Sequence, residues 1–323
     1  MRFVLMMLSV AACHAETGLS GFERPSERPT PAVLRGAAHT DVFVAQVSAG
    51  PAVDVLWLPE GEPGIDEELE LLRPHYPSFI QALEASNADY HVAVAYPGAV
   101  TQYLGTLTGV GAQRYIDRDT PDPARTFVDM MGQATGQGIG FTGLHFLGAY
   151  ICLSAPDGDC IRYRFRRQGV PIHTIVIADS PNRSHMSENE FVEFYSRLTR
   201  DPDDRTFSGF VDPTLTTEFI AASRAIGGVM VDVREGNYGE VLAQFADTII
   251  ASAEQRAYHL SRPAEEATLE VRVLGGGPNY DPVPAETGWR YDLVRNAVVI
   301  PTEALPEGAF EVTATYDVRS DGL

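Results

Sequence analysis

Two acidic residues, Glu60 and Glu62, occupy a short loop shortly after the stretch AVDVLWL. That stretch is a nearly continuous apolar run, which is typical of a strand covered on both faces of a parallel sheet. A third carboxylate, Asp179, follows the apolar stretch IHTIVIA in the same way. Open α/β sheets bind ligands outside the carboxyl ends of their strands. Glu60, Glu62 and Asp179 are therefore candidate acid/base groups of one crevice.

The composition and the motifs exclude several classes of function. A formal charge of −20 over 323 residues lacks the basic surface that nucleic-acid binding needs. All 24 basic residues are Arg, so Schiff-base chemistry and P-loop phosphate binding through lysine are excluded. The chain has no G-x-S-x-G nucleophile elbow and no zinc-type histidine pair. We expect His145 and His173, which lie in apolar segments, to be structural.

The N-terminus has the build of a secretory signal. An apolar run from Phe3 to Ala12 is too short to span a bilayer as a helix. The small residues of VAAC place Cys13 where a bacterial lipoprotein carries its lipidated cysteine. Ordinary signal cleavage after Ala15 is the alternative, although it would put a cysteine at an unusual position. We favour a lipoprotein signal over residues 1–13.

The two remaining cysteines, Cys152 and Cys160, form an even pair in a secreted chain. They flank the polar turn LSAPDGD, which can bring the two cysteines together. No second Cys or His cluster accompanies them, so a metal role is disfavoured. The sequence therefore predicts a short-loop Cys152–Cys160 disulfide.

Periodicity divides the rest of the chain into three parts. Residues 14–40 are rich in Pro, Ser, Glu and Gly and are expected to form a flexible tether. Strand and helix signals alternate over 41–257, which predicts an α/β fold with a doubly wound, mostly parallel sheet. Over 258–323 apolar and charged residues alternate with period two, which predicts a small antiparallel β appendage with one wet face.

The order of these segments resembles that of von Willebrand factor A domains, in particular secreted bacterial lipoproteins that end in a short β appendage. The stretch VDVLWLPEGEPGIDEE takes the place of the first strand and its D-x-S-x-S loop. GQATGQGIGF takes the place of the threonine loop, and IVIADSPNRS that of the strand ending in an aspartate. The tail with TLEVRVL and GWRYDLVRNAVVI fits the appendage.

The resemblance implies a metal-ion-dependent adhesion site, in which an Asp, two Ser, a Thr and a second Asp hold Mg²⁺ or a similar hard cation. Here Thr135 and Asp179 fall on the Thr and the second Asp. Glu60 replaces the first Asp, Glu62 the first Ser and Gly64 the second Ser, so two hydroxyl ligands are lost. We therefore expect a degenerate site with no tightly bound cofactor. If a divalent cation binds weakly, Ca²⁺ suits irregular carboxylate ligands better than Mg²⁺.

Two functional hypotheses follow. The first is a non-enzymatic binding or adhesion module that uses the top of the A-like domain for protein–protein interaction. Its partner would be an unknown protein or envelope component, and a lipid would hold the chain at the cell envelope. In a Gram-negative host that means the outer membrane or the periplasmic face. The second is an envelope hydrolase that uses Glu60, Glu62 and Asp179 as acid/base groups.

Overall fold

The structure, a computed structural model, describes ten stretches of the chain that together form one compact unit, Ala37–Leu323. The predicted signal 1–13, most of the predicted tether 14–40, Glu62 and most of the threonine loop lie outside the described residues. The described residues are 38–47, 51–61, 63–86, 88–98, 103–135, 144–167, 169–199, 201–275, 288–305 and 308–319.

A five-stranded parallel sheet forms the centre of this unit. Its strand order is β3-β2-β4-β5-β6, and every neighbouring pair runs parallel. The strands are β2 (Ala52–Pro59), β3 (Asp89–Val94), β4 (Ile172–Ala178), β5 (Arg205–Val211) and β6 (Met230–Asp232).

Helices cover both faces of this sheet. Apolar side chains of α1, α2, α3 and α8 form one core cluster, and those of α4 to α7 form a second. The helices are α1 (Asp66–Leu72), α2 (Tyr76–Ala85), α3 (Pro123–Thr135), α4 (His145–Ser154), α5 (Asp159–Arg162), α6 (Glu188–Ser196), α7 (Thr217–Ile226) and α8 (Tyr238–Glu254).

The strand β2 shows why its sequence is apolar on both faces. Val55 and Trp57 belong to the first cluster, whereas Leu56 and Leu58 belong to the second. Successive side chains of a strand point to opposite faces of the sheet. A strand that helices cover on both faces therefore needs apolar residues at successive positions. The predicted doubly wound α/β class is thereby confirmed.

One polar residue of β2 is buried among these apolar ones. Asp54 is fully buried and accepts hydrogen bonds from the backbone N–H of Arg167 at 2.7 Å and from its Nε at 2.8 Å. Arg166 Nη1 lies 3.2 Å from the same carboxylate. Because a buried charge needs such partners, Asp54 fixes the loop before β4 to the start of the sheet.

Capping-box spacing occurs at Ser187 and Glu190 and at Ser78 and Gln81, but only the first pair forms the box. Ser187 and Glu190 form the reciprocal box at the start of α6. Ser78 and Gln81 do not, because α2 begins before them at Tyr76 and the Ser78 hydroxyl donates to the carbonyl of His75 instead. A 3₁₀ turn, Arg73–His75, connects α1 to α2, so the prolines there fall in first turns that tolerate them.

The C-terminal part forms a β unit of two antiparallel sheets around one core, ordered β1-β11-β8 and β7-β10-β9. The predicted antiparallel appendage is therefore present. Its strands are β1 (His39–Val47), β7 (Gln255–His259), β8 (Glu270–Gly275), β9 (Arg290–Asp292), β10 (Ala297–Pro301) and β11 (Gly308–Tyr316).

The strand β1 differs from its assignment in the sequence analysis. His39–Val47 was divided between the end of the tether and the start of the α/β domain, yet it pairs along its whole length with β11. Its neighbours in the sheet therefore come from the other end of the chain. The β unit is built from both ends of the described residues.

The β unit is fixed to the amino ends of the parallel strands. Arg256 Nη1 lies 2.8 Å from Asp204 Oδ1, in the turn just before β5. The buried Thr302 hydroxyl donates to the carbonyl of Ala253, near the end of α8, at 2.7 Å. These contacts place the β unit at the base of the sheet, opposite the edge where the strands end.

A disulfide links α4 to α5. Cys152 and Cys160 are both fully buried and are bonded to each other, with their Cα atoms 4.9 Å apart. The predicted pairing is confirmed. Among the described residues, no helix combines the length and the apolar character that crossing a membrane requires.

Candidate functional site

Acidic residues stand at the carboxyl ends of four neighbouring strands. Glu60 follows β2, Asp179 follows β4, Asp212 follows β5, and Asp232 ends β6. In a parallel sheet these ends share one edge, where open α/β folds bind their ligands. We call the edge formed by these four residues the acidic rim.

Glu60 is the most deeply buried member of the acidic rim, with 1% of its surface exposed. Its Oε2 accepts hydrogen bonds from the backbone N–H groups of Asp179 at 3.0 Å and Ser180 at 3.3 Å. Its Oε1 accepts a hydrogen bond from the Ser180 hydroxyl. The carboxylate therefore connects the end of β2 to the loop after β4.

The loop after β2 also lies close to the two other predicted ligand positions. A Cβ atom added to Gly61 would lie 3.2 Å from the carbonyl oxygen of Ala134 and 3.9 Å from the Cα of Thr135. A Cβ atom added to Gly64 would lie 2.9 Å from Asp179 Oδ2. Glu60, Thr135 and Asp179 thus come from three separate elements to one edge, as the resemblance implies.

The details of these positions depart from a metal site. The Thr135 hydroxyl donates to the Met131 carbonyl at 3.1 Å, within its own helix. A serine at position 64 would place its Cβ too close to Asp179 for that side chain to stay where it is. Glu62, the remaining predicted ligand, lies outside the described residues.

Asp212 and Asp232 were not among the site residues predicted from the sequence. Arg234 joins them, since its Nη2 lies 2.6 Å from Asp212 Oδ1 and its Nε lies 3.3 Å from Asp232 Oδ1. Burial opposes ionisation of Asp212, but hydrogen bonds from Thr214 and Arg234 hold the pKa of this carboxyl below its ordinary value. The sequence does contain a signal for both residues, because each follows an apolar, strand-like run just as Asp179 does.

A second acidic group lies at the opposite end of the sheet. Oxygen and nitrogen atoms of Asp201, Asp203 and His259 lie within 4.8 Å of one another. His259 Nε2 is 3.1 Å from Asp201 Oδ1, and Arg295 Nη1 is 3.0 Å from Asp203 Oδ2. These residues could ligate a divalent cation through nitrogen and oxygen, but Arg295 already supplies a positive charge to Asp203.

A buried histidine joins two hydroxyl groups near that end. His173 Nδ1 lies 2.8 Å from Thr206 Oγ1, and its Nε2 lies 2.6 Å from Ser252 Oγ. The Ser252 hydroxyl donates to the Ile249 carbonyl, so the imidazole N–H donates to Ser252 instead of taking its proton. Burial lowers the pKa of His173 to about 3. The structural role expected for His173 is therefore confirmed.

No protein-family model matches the sequence, and no curated protein matches it either. Among solved structures it is similar to a von Willebrand factor type A protein from Catenulispora acidiphila, with 13% identity and a TM-score of 0.40 over 88% of this chain and 62% of that one.

Two further similar structures come from other sources. Proximal thread matrix protein 1 from the mussel byssus is 10% identical, with a TM-score of 0.39 over 66% of this chain and 48% of that one. The pilus adhesin SpaC from Lactobacillus rhamnosus GG is 8% identical, with a TM-score of 0.36 over 88% of this chain and 42% of that one. The chain thus spans between 42% and 62% of the three structures.

The assignment of the fold rests on the sheet itself. The parallel strand order, the helices on both faces and the meeting of the Glu60, Thr135 and Asp179 elements at one edge are the features that the sequence resemblance implies. The described residues have a von Willebrand factor A-like α/β fold with an antiparallel β unit at the base of its sheet.

Proposed function

We propose that the protein is a non-enzymatic binding module of the cell envelope that contacts a protein partner through the acidic rim without a bridging metal ion. The observation that carries this proposal is the way the rim carboxylates are held. Donors of the protein itself bind Glu60, Asp212 and Asp232. A rim organised in this way keeps its shape when divalent cations are removed.

The contacts of Glu60 also weigh against the hydrolase alternative. A general acid or base must reach the proton that it transfers. Both Glu60 oxygens face the Asp179–Ser180 loop, and the side chain is buried. Proton exchange with a substrate would require these hydrogen bonds to break. Recognition by the surface of the rim requires no such change.

An exposed apolar residue lies beside the rim and offers a direct test. Leu215, three residues after Asp212, has 53% of its surface exposed. We expect Leu215→Arg to remove capture of the partner from envelope extracts by the full chain. Leu274→Arg is the matched control, because Leu274 is 49% exposed but lies on β8 of the β unit.

The same capture experiment separates metal-dependent from metal-independent recognition. We expect one and the same protein to be captured by wild type and by Leu274→Arg, with or without EDTA. Loss of capture in EDTA would contradict a rim without a bridging ion. Equal capture by Leu215→Arg and Leu274→Arg would move the binding surface away from the rim.

Anchoring at the envelope is part of the proposal and has its own test. Its support is the short apolar run that ends in VAAC at Cys13. We expect Cys13→Ser to release the protein from membranes or to block its processing. Unchanged partitioning into detergent would contradict lipidation of this cysteine.

A further inference from the structure

The hairpin formed by β9 and β10 ends in two exposed apolar residues. The two strands pair up to Asp292 and Ala297, and residues 293–296 form the turn between them. Leu293 has 58% and Val294 96% of its surface exposed, the two highest values among large apolar residues in the described part of the chain. We call Leu293 and Val294 the hairpin tip.

The turn holds the hairpin tip in a fixed position. Asp292 Oδ1 accepts hydrogen bonds from the backbone N–H groups of Val294 and Arg295, both at 3.1 Å. Asn296, whose φ of 49° lies in the left-handed region, accepts a hydrogen bond from the Tyr291 hydroxyl at 2.6 Å. Because the backbone of the turn is fixed in this way, the two apolar side chains are presented to whatever lies outside the β unit.

The chain enters the β unit at the end that carries the hairpin tip. His39 begins β1, and its Nε2 lies 2.7 Å from Ser261 Oγ. Asn296, which belongs to the same turn as the hairpin tip, donates from Nδ2 to the carbonyls of Leu260 and Arg262, both at 2.9 Å. These two residues flank Ser261. The entry point of the chain and the hairpin tip therefore adjoin the same short segment.

The length of chain before β1 limits how far this end can lie from a membrane. The anchoring proposed above, on which this inference rests, places a lipid on Cys13, about 25 residues before His39. A random coil of this length spans roughly 25–30 Å. A lipid on Cys13 would therefore keep the hairpin tip close to the lipid surface.

The charges beside the hairpin tip are paired, so they do not select an anionic partner. Arg295 Nη1 lies 3.0 Å from Asp203 Oδ2, and Arg290 Nη1 lies 3.8 Å from Asp292 Oδ2. The formal charge of −20 on the whole chain also works against attraction to an anionic surface. What the tip offers is apolar contact. A lipid surface accepts aliphatic side chains without a matching pocket, and the anchor brings that surface within reach whatever protein binds the acidic rim.

We propose that the hairpin tip inserts into the lipid surface to which the chain is anchored. Leu293 and Val294 enter the boundary between headgroups and acyl chains. Two aliphatic side chains are too few to hold a protein on a membrane alone, since even a single myristoyl chain gives only marginal binding. Beside an anchor the effective concentration of lipid is high, so a weak contact is enough to set the orientation. The β unit then faces the membrane, which leaves the acidic rim free for a partner.

A fluorescent label at the hairpin tip tests this contact. Residues 14–323, with a histidine tag in place of residues 1–13, are attached to phosphatidylcholine vesicles that contain a nickel-chelating lipid. The Cys152–Cys160 disulfide leaves the introduced cysteine of Val294→Cys as the free thiol for a nitrobenzoxadiazole label. Leu274→Cys is the matched control, because Leu274 is 49% exposed and lies towards the opposite end of the β unit.

We expect attachment to the vesicles to raise the fluorescence of the label at position 294 severalfold and a nitroxide-bearing lipid to quench it. Fluorescence of the label at position 274 should stay close to its value in water. A response of neither label, or an equal response of both, would overturn the proposal and leave a protein groove as the partner of the tip.

A double variant tests the same contact without a label. Leu293→Ser/Val294→Ser should dissociate from the nickel vesicles in imidazole roughly tenfold faster than the unchanged chain, because the tip no longer adds to the tag. Leu274→Ser should dissociate as the unchanged chain does. Equal rates for the double variant and Leu274→Ser would also overturn the proposal. Because the tag replaces the lipid, a failure of lipidation at Cys13 leaves these measurements unaffected, so the two proposals fail separately.

Discussion

Glu60 accepts three hydrogen bonds from the Asp179–Ser180 loop, and the length of its side chain makes this possible. A glutamate carboxylate extends one methylene further from the backbone than that of an aspartate. Glu60 uses that reach to cross from the end of β2 to the loop after β4. The glutamate at this position, where the resemblance implies an aspartate, therefore supplies a connection between two strand ends.

Replacing this carboxylate should destabilise the protein. We expect Glu60→Ala to lower the free energy of unfolding by about 2–4 kcal/mol, because it leaves buried donors without the charged acceptor that they share. Glu60→Gln keeps one acceptor oxygen and should cost less. Urea denaturation measures both changes. A Glu60→Ala effect within about 0.5 kcal/mol of zero, as for an ordinary surface substitution, would contradict the bridging role.

The same contacts predict weak cation binding at the acidic rim. Glu60 is already satisfied and Gly64 contributes no oxygen side chain, so Ca²⁺ and Mg²⁺ should bind no tighter than about 10 µM, the weak end of the sensor range. Isothermal titration of the full chain with each ion measures this. Tighter binding that disappears in Asp179→Ala would show a working metal site.

His173 should make stability depend on pH. Its pKa is about 3 in the folded protein against 6.5 as the ordinary value, so unfolding takes up a proton below pH 6.5. The stabilising contribution is complete above pH 6.5 and falls as the pH drops towards 3, by about 2 kcal/mol at pH 5. Unfolding free energies at pH 7 and pH 5 should differ less in His173→Gln. His185→Gln, at an exposed position, should keep the wild-type difference.

At the scale of elements, the parallel strands were the most predictable part. The apolar runs of β2 and β4 are long, and α6 carries its own start signal in Ser187 and Glu190. The strand β1 was not predictable, because its register is set by β11, more than 250 residues away. The boundary between α1 and α2 is hard to predict, because prolines within a helical stretch suggest an interruption although first turns tolerate them.

The Cys152–Cys160 bond should stabilise α4 and α5 by a modest amount. The loop is short, with a separation of 8 residues. Replacing both cysteines by Ala should therefore lower the free energy of unfolding by about 2–3 kcal/mol. Denaturation with and without reductant should show the same loss in the wild type. The double variant should not respond to reductant, and a response there would assign the effect to another cause.

At the scale of the whole molecule, the sequence predicted the fold class and the edge of the sheet where the candidate site lies. It did not predict the hydrogen bonds and ion pairs that occupy the carboxylates there. The order of strands and helices is local information, and it brings Glu60, Thr135 and Asp179 to one edge. The hydrogen bonds of Glu60 and the Arg234 pairing depend on side-chain positions that no spacing rule contains.

The pairing of β1 with β11 predicts a sharp limit to truncation. Deleting residues 1–37 leaves β1 intact and should leave the melting temperature unchanged. Deleting residues 1–47 removes β1 and exposes the long edge of β11, so we expect a loss of at least about 5 °C and a tendency to aggregate. Calorimetry and size-exclusion chromatography compare the two. Equal melting temperatures would mean that β1 contributes little to the β unit.

The position of β1 also has a mechanical consequence. The chain enters the described unit at the base of the sheet, whereas the acidic rim lies at the other end of the parallel strands. Tension between a partner at the rim and an anchor before β1 would run along β2, β4 and β5. From the amino end of β2 it would pass through the chain to β1, the strand that directly precedes β2, and so to the β1–β11 ladder. Because β1 lies alongside β11 over its full length, pulling on it would shear the ladder instead of opening it one hydrogen bond at a time.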